Sequence, residues 1–325
     1  MRILITGGAG FIGHHVVQRL MMDHDIVVLD RLDESGNMKR LADIQYNGKW
    51  LFHDLRAPLN EQVRAQLGQV DAIIHMAAAT HVDRSITDPM SFVLDNVVGT
   101  ANLLDYAVDL DVSPLFIHFS TDEVFGPAPP GVAYKEDDRY RSGNPYAASK
   151  AGAEELVVAY NNTYGLPAIV THTMNVIGYR QNPEKFFPNT IKKVMNGEEV
   201  VIHANADRTK AGSRFYIHAS VVADVVAFLL ERGDFKACAK YNIVGSEEID
   251  NLELATRIYE SCACFVDNLT FNYTMVDFHS SRPGHDLRYA LDGTKLASMG
   301  YEVPLVLSIK GLVKWYLDNP EWLLP

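Results

Sequence analysis

The 325-residue sequence predicts an α/β protein in which a doubly wound parallel sheet carries a second, smaller α/β lobe. Three observations lead there. Short β-branched apolar runs alternate with helical periods through the first half. A glycine-rich turn joins the first run to the first helical period. After about Gly178 the rhythm changes. Strands alternating with helices at this spacing form a parallel sheet covered by helices on both faces.

The strand candidates of the first half are Ile3–Thr6, Ile26–Asp30, Trp50–His53, Ala72–His75, Leu115–Ser120 and Ala168–Thr173. They are nearly continuous in apolar residues, as strands buried on both faces are. Helices are expected over Phe11–Met22, Leu59–Leu67, Met90–Asp109 and Pro145–Tyr164. Turn formers mark loops at Asp33–Lys39, Gly126–Tyr134 and Ala204–Ser213. Further on, strand-like pieces (Glu199–Ile202, Arg214–His218, Tyr241–Val244, Phe271–Met275) sit among helices at Asn189–Asn196, Val221–Glu231, Leu252–Ser261 and Val306–Leu317. The expected division is a dinucleotide-binding domain of residues 1–177 with about 216–245, and a substrate-binding lobe of about 178–215 with 246–325. Such a lobe covers the carboxyl ends of the strands, where open α/β sheets bind ligands.

Composition narrows the classes. Hydrophobic residues make up 47% and charged residues 22%, an ordinary globular balance that excludes a disordered or collagen-like chain. With 29 basic against 41 acidic side chains the net charge is −12, which argues against nucleic acid as a partner. A local arginine cluster can still hold an anionic small ligand. The three cysteines, Cys238, Cys262 and Cys264, make no disulfide framework and lack zinc spacing with nearby histidines. No metal is expected, the His14-His15 pair included, and a reducing, cytoplasmic setting fits. No run approaches the ~18 apolar residues of a membrane span. The opening MRILITGGAGFIG reads as strand and turn rather than as a targeting segment.

Chemistry begins at that turn. Gly7, Gly10 and Gly13 follow the first strand and lead through Phe11 and Ile12 into the first helix. Glycines let the backbone approach a pyrophosphate, and the helix N-terminus supplies N–H groups and positive potential. The strand–turn–helix context makes this a Rossmann-type dinucleotide site. Asp30 ends the second strand 17 residues after Gly13. A carboxylate there accepts ribose hydroxyls and repels an extra phosphate, favouring NAD over NADP. Arg31 pulls the other way, since it can pair with a phosphate. Asp54 is balanced between meeting the adenine amine and capping its loop.

Tyr146 and Lys150 are four residues apart at the start of a helix and so share a face. An ammonium beside a phenol stabilises the phenolate and lowers its pKa. Ser120-Thr121 ends the strand just upstream.

Turn, strand-end Thr and Tyr–Lys pair together look like the extended short-chain dehydrogenase/reductase superfamily. Within it, Ser120-Thr121-Asp122-Glu123-Val124-Phe125-Gly126 and Ala78-Ala79-Thr80-His81-Val82-Asp83-Arg84-Ser85-Ile86 resemble signatures of the dTDP-glucose 4,6-dehydratase family. So do Pro183-Glu184-Lys185-Phe186-Phe187-Pro188 and the block from Arg282-Pro283-Gly284-His285 to Asp292. The similarity spans essentially the whole chain. The resemblance implies NAD as cofactor and a nucleotide-diphosphate sugar as substrate. It implies Thr121, Asp122, Glu123, Tyr146 and Lys150 as catalytic residues, with Asp122 as acid, Glu123 as base and Thr121 on the sugar 4-hydroxyl. Beyond the turn glycines, Phe11, Ile12 and Asp30, it implies a cofactor site that includes Asp54, Leu55, Ala77, Ala79, Asn96, Tyr146, Lys150 and Asn175, with Asn96 holding the strand-end geometry near the cofactor. Substrate contacts are implied at Thr80, Asn175, Glu184, Lys185, Arg214, Asn251, Arg282 and His285, the two arginines as diphosphate clamps.

Departures from the family pattern cluster where the nucleotide is expected. Phe125 replaces a usual Tyr, Tyr179-Arg180 a usual Pro, His203 a frequent aromatic, and the run Gly212–Ser220 differs from the usual Arg-Asp-Trp block. They leave the nucleobase open. A UDP-glucuronate decarboxylase or nucleotide-sugar 4-epimerase shares the Thr, Tyr and Lys, but a decarboxylase needs no acid for a leaving 6-hydroxyl. A non-catalytic dinucleotide sensor on the same fold is the rival of another class. The helices at Met90–Asp109 and Pro145–Tyr164 carry apolar residues on more than one face, which predicts a homodimer through a four-helix bundle.

Overall fold

The computed structural model describes residues 1–278, 287–304 and 308–324. Its centre is a seven-stranded sheet in which every neighbouring pair is parallel. In chain order its first strands are β1 (Arg2–Thr6), β2 (Asp25–Asp30), β3 (Lys49–Phe52), β4 (Ala72–His75), β5 (Leu115–Thr121) and β6 (Ala168–Thr173). Ala239–Ile243 pairs beside β6, so the sheet runs from that strand through β6, β5, β4, β1 and β2 to β3. The order reverses between β1 and β4, which opens a crevice at their carboxyl ends.

Alternation along each strand builds two apolar layers. Ile3, Ile5, Val28 and Ile74 face one side and pack with Val16, Val17, Val222 and Val226 of the Phe11–Leu20 and Ala219–Arg232 helices. Leu4, Val27, Leu29 and Ile73 face the other and pack with Leu103, Leu104 and Val157. Side chains of period 2 with both faces covered explain why these strands read as unbroken apolar runs. A further core joins Phe187, Ile191 and Val194 of the Phe186–Asn196 helix to Leu254 and Ile258 of Asn251–Ala263, Ile202, and Tyr316. Small two-stranded sheets flank it: Val200–Ala204 with Tyr273–Asp277, and Ser213–Phe215 with Glu248–Asp250.

The long second helix differs from the expectation of one regular helix over Met90–Asp109. It is Pro89–Phe92, a π turn over Val93–Val98, then Gly99–Val108. A π turn inserts one residue into the helical ladder and re-aims the side chains beside it. A short helix, Met38–Asp43, begins inside the expected loop, capped by the Asn37 side chain on the Lys39 N–H. Six residues carry too little periodicity to be read from sequence. The Pro145–Tyr164 helix has the expected limits. Asn144 caps it, Pro145 occupies its first position, and Gly165 ends it in left-handed backbone at φ 69°. Among the described residues no helix is long and apolar enough to cross a membrane.

The glycine turn is set by contact within the protein as well as by any ligand. A Cβ on Gly13 would lie 2.1 Å from the Gly7 carbonyl oxygen. Gly13→Ala should therefore force the turn open, lower the melting temperature by an amount corresponding to ~1–3 kcal/mol, and abolish the stabilisation that added NAD gives. Thermal scans with and without NAD check this, and a variant that melts and responds like wild type would contradict the close-packed turn.

Candidate active site

The crevice between β1 and β4 widens into a cleft across the carboxyl ends of β5 and β6. Its floor is the glycine turn, and its far wall is the start of the Pro145–Tyr164 helix. Thr121, Asp122, Glu123, Tyr146 and Lys150 all line it. The capped helix start places Tyr146 and Lys150 in register on its buried face, and Asn144 has a second task. Its side-chain amide donates to Glu123 Oε2 at 2.9 Å while its Oδ1 accepts the Ala147 N–H at 2.8 Å. Sequence reasoning passed over Asn144, although an Asn-Pro pair ahead of a helical period is a capping signal.

Strand β5 ends at Thr121, and Asp122–Phe125 forms a single 3₁₀ turn. The Thr121 hydroxyl donates to Asp122 Oδ1 at 3.0 Å and accepts the Glu123 N–H at 3.3 Å. One hydroxyl thus ties the Asp122 carboxyl to the Glu123 backbone, while Asn144 holds the Glu123 carboxyl. Burial dominates their electrostatics. It raises the Asp122 carboxyl to about 6, against the opposing pull of Arg214 and of the Thr121 hydrogen bond. Burial likewise lowers Lys150 to about 8, with Glu154 opposing. Tyr146 is held above the ordinary phenol value by burial and by the charges of Glu123 and Asp122, against its hydrogen bond with Thr121. The lowering of Tyr146 expected from the nearby Lys150 is thus not found in the protein alone, where desolvation and the charges of Glu123 and Asp122 raise it.

The opposite end of the cleft fits a dinucleotide. Gly10 is the N-cap of the first helix, with no side chain bonded there and no acidic residue in the first turn. The N-terminus is therefore kept for an anion. Asp30 reaches the cleft with one oxygen accepting the Ala9 N–H (3.0 Å) and the other the Leu32 N–H (2.9 Å). Each oxygen keeps a lone pair for a ribose hydroxyl. Arg31, which could have favoured an extra phosphate, is held by Asp33 (2.7 Å) and Asp95 (2.9 Å). Asp54 bonds Arg56 and the Arg56 N–H, leaving it in the cleft wall beside Leu55. Ser120 Oγ, Thr173 Oγ1 and Asp122 Oδ2 are buried with no hydrogen-bond partner among the described residues. Buried polar atoms left open in a cleft suit a polar ligand that completes them.

The remaining expected residues divide. Phe11, Ile12, Ala77, Thr80, Asn175 and Lys185 line the cleft, and Glu184 lines its outward extension. Asn96 does not line it. Its Nδ2 donates to the Ala79 carbonyl (3.0 Å) and Ser149 Oγ (2.8 Å), and its Oδ1 accepts the Ala79 N–H (2.8 Å). It clamps the segment after β4 to the Tyr146 helix, and Ala79 takes part through its backbone. Arg214 is buried behind Asp122, donating to the Ser213 and Leu287 carbonyls with its guanidinium over Tyr289. Asn251 accepts the Tyr216 hydroxyl at 2.6 Å. Arg282 and His285 lie outside the described residues. No metal-binding cluster is found among the described residues.

Comparison with known proteins places this architecture. Residues 3–244 match the NAD dependent epimerase/dehydratase family. The chain belongs to that family. As a member it is an NAD-dependent enzyme of the extended short-chain dehydrogenase/reductase type. It is 38% identical to a dTDP-glucose 4,6-dehydratase of Streptomyces niveus over 100% of this chain and 95% of that one. The crystal structure of the dTDP-glucose 4,6-dehydratase DesIV from Streptomyces venezuelae, solved with NAD, superposes with a TM-score of 0.88 at 34% identity, covering 100% of this chain and 99% of that one. A Thermus thermophilus UDP-glucose 4-epimerase, also solved with NAD, superposes at 0.86 with 26% identity over 98% of this chain and 99% of that one.

The raised Asp122 value carries a sign. Its folded value of about 6 exceeds the ordinary 3.8, so the native state binds the proton more tightly than the unfolded chain. Its contribution to stability is thus greatest below the unfolded value and falls as pH rises through that window. Asp122→Asn keeps an acceptor for Thr121 and carries no charge. It should melt higher than wild type at pH 7, by at most ~3 kcal/mol, and lose that advantage near pH 4. Melting curves at the two pH values check this; an equal difference at both would remove the buried-charge explanation.

Proposed function

We propose that this member of the family is a nucleotide-sugar 4,6-dehydratase, converting dTDP-glucose or UDP-glucose to the NDP-4-keto-6-deoxyglucose. One observation carries the reading: Asp122 and Glu123 stand side by side at the end of β5, and Asp122 keeps its proton to about 6. NAD, which the Gly7–Gly13 turn and Asp30 would hold, would supply the hydride acceptor for sugar carbon 4 and the hydride donor for carbon 6, with no net change of cofactor. Tyr146 takes the proton of the 4-hydroxyl, with Thr121 hydrogen-bonded to the same oxygen and the Lys150 ammonium favouring the phenolate. The 4-ketone acidifies carbon 5. Glu123 removes that proton as Asp122 protonates the departing 6-hydroxyl, and water leaves. As hydride reaches carbon 6, the proton held by Glu123 returns to carbon 5, and the proton taken by Tyr146 from the 4-hydroxyl is the one that restores Asp122. A base and an acid with different protonation at one pH are what this elimination requires. Thr80, Asn175 and Lys185 line the place for the sugar. Arg214, Asn251, Arg282 and His285 belong to the nucleotide-diphosphate side on the strength of the resemblance.

A 4-epimerase or decarboxylase uses Thr121, Tyr146 and Lys150 alike, but has no leaving 6-hydroxyl for the raised Asp122 carboxyl to protonate. Incubation with dTDP-glucose, UDP-glucose and UDP-glucuronate, followed by mass spectrometry and proton NMR of the sugar, separates the three. Loss of one water from a glucose substrate supports the dehydratase, and loss of carbon dioxide or an unchanged mass with inverted carbon 4 overturns it.

Variants order the steps. Tyr146→Phe should show neither reduced-cofactor absorbance nor product. Asp122→Asn and Glu123→Gln should still oxidise carbon 4 and accumulate reduced cofactor, with dehydration slowed on the order of 10²-fold. Single-turnover absorbance beside product formation distinguishes these outcomes. Dehydration at wild-type rate in Asp122→Asn would remove the acid.

The same reading includes a cytoplasmic homodimer. Its support is the apolar surface of the π segment and the turn before it, where Met90 is 61% exposed and Val93 and Leu94 are exposed beside the Pro145–Tyr164 helix. Light scattering at micromolar protein should give twice the chain mass, and a monomer would refute the dimer.

A further inference from the structure

Behind the Tyr146 helix, away from the cleft, lies a buried polar cluster that the chemistry above does not use. Its centre is Glu154, one helical turn beyond Lys150 and with a fully buried side chain. Lys240 Nζ sits 2.8 Å from its Oε1 and His172 Nε2 3.1 Å from its Oε2, and the Tyr140 hydroxyl donates to Oε1. Lys240 also donates to the Tyr140 oxygen at 2.7 Å, and His172 Nδ1 meets Asn242 Oδ1 at 3.0 Å. This is a carboxylate held ionised at depth by converging donors.

Lys150 presents the complementary problem. It is only 4% exposed, and among the described residues it has no carboxylate within 4.0 Å. The groups around it are few. On its own helix they are Tyr146 and Glu154. His75 faces it from β4 and His118 from β5, and burial with the charge of Lys150 keeps both histidines neutral. His172 on β6 belongs to the Glu154 cluster. Asp122 and Glu123 in the 3₁₀ turn act on Tyr146. Asp105 and Tyr160 bond each other towards the far end of the helix. Glu154 is thus the counter-charge for Lys150, and a buried ammonium needs one.

We propose that Glu154 is a positioning residue whose fixed negative charge, shielded from water one helical turn away, keeps Lys150 an ammonium in the cleft. The electrostatics agree in sign: burial lowers Lys150 to about 8, and the charge of Glu154 is what opposes it. The role of Lys150 as an ammonium rests on the function proposed above. The charge relation between Glu154 and Lys150 does not.

The test uses the full-length holoenzyme with ¹⁵N-labelled lysine, following the Lys150 Nζ resonance against pH, assigned by its loss in Lys150→Met. Single-turnover oxidation of carbon 4, a step that does not use Asp122, is measured over the same range. In Glu154→Gln the Lys150 titration should move down by about one pH unit, with the alkaline limb of carbon-4 oxidation following it. Glu154→Asp should restore both. Lys240→Gln cuts the same ion pair but leaves the Glu154 charge, so Lys150 should titrate where it does in wild type or higher. The double variant Glu154→Gln/Lys240→Gln removes both members of the Glu154–Lys240 ion pair together and should keep the lowered titration. An unmoved Lys150 titration in Glu154→Gln and in the double variant overturns the proposal. So does an equal lowering by Lys240→Gln, which would make the cluster purely structural. If wild type dehydrates no nucleotide sugar while the shift is present, the function fails and the charge relation stands.

Discussion

Desolvation at the carboxyl ends of β4, β5 and β6 is the constraint on which the rest of this protein depends. Three ionisable groups there, Asp122, Tyr146 and Lys150, are taken almost wholly out of water. Each is pushed towards its neutral form by one physical cause: the acid and the phenol upward, the amine downward. Everything nearby answers that cost. Thr121 bonds Asp122, Asn144 bonds Glu123, and Glu154 stands as the counter-charge to Lys150.

The scaffold meets the constraint with a few cross-links between elements far apart in sequence. Asn96, carried inward on the π turn, joins the segment after β4 to the Tyr146 helix through three hydrogen bonds. Arg40, almost wholly buried, does the same for the glycine turn. Its guanidinium donates to the Ala9, Ser35 and Arg180 carbonyls and to Asn182 Oδ1, and it packs over Trp322. The turn, the loop after β2 and the segment leading to Lys185 are thereby held as one wall of the cleft. These are positioning contacts, and none of them needs to touch a ligand to matter.

Much of this was legible in the sequence, and the parts that were not share a reason. The strands, the glycine turn and the Tyr146 helix are local: hydrophobic periodicity, an Asn-Pro start and a Gly stop suffice to place them. The π turn was not legible, because an inserted residue leaves the composition of a helix unchanged. Asn96 was legible as a residue that holds the strand end near the cofactor, but not the Ala79 backbone and the Ser149 hydroxyl through which it does so. The contacts that hold Arg214 and Asn251 within the protein were not legible either: one donates to the Ser213 and Leu287 carbonyls and the other accepts a tyrosine hydroxyl.

The sequence by itself determined the doubly wound sheet and the family, and it brought forward the candidate reacting side chains. Period-2 and helical patterning, glycine spacing and the adjacent Asp122-Glu123 pair are properties of neighbours along the chain. Tertiary structure alone decided the charge states. The sequence sets Tyr146 beside Lys150 and suggests a lowered phenol, but burial and the approach of Glu123 and Asp122 raise it. It also decided that Arg31 is spent on Asp33 and Asp95, and that Glu154 lies buried among Lys240, His172 and Tyr140. The physical reason is common to all three. The energy of a charge depends on how much water it has lost and on which groups surround it in space, and neither is written in the order of residues.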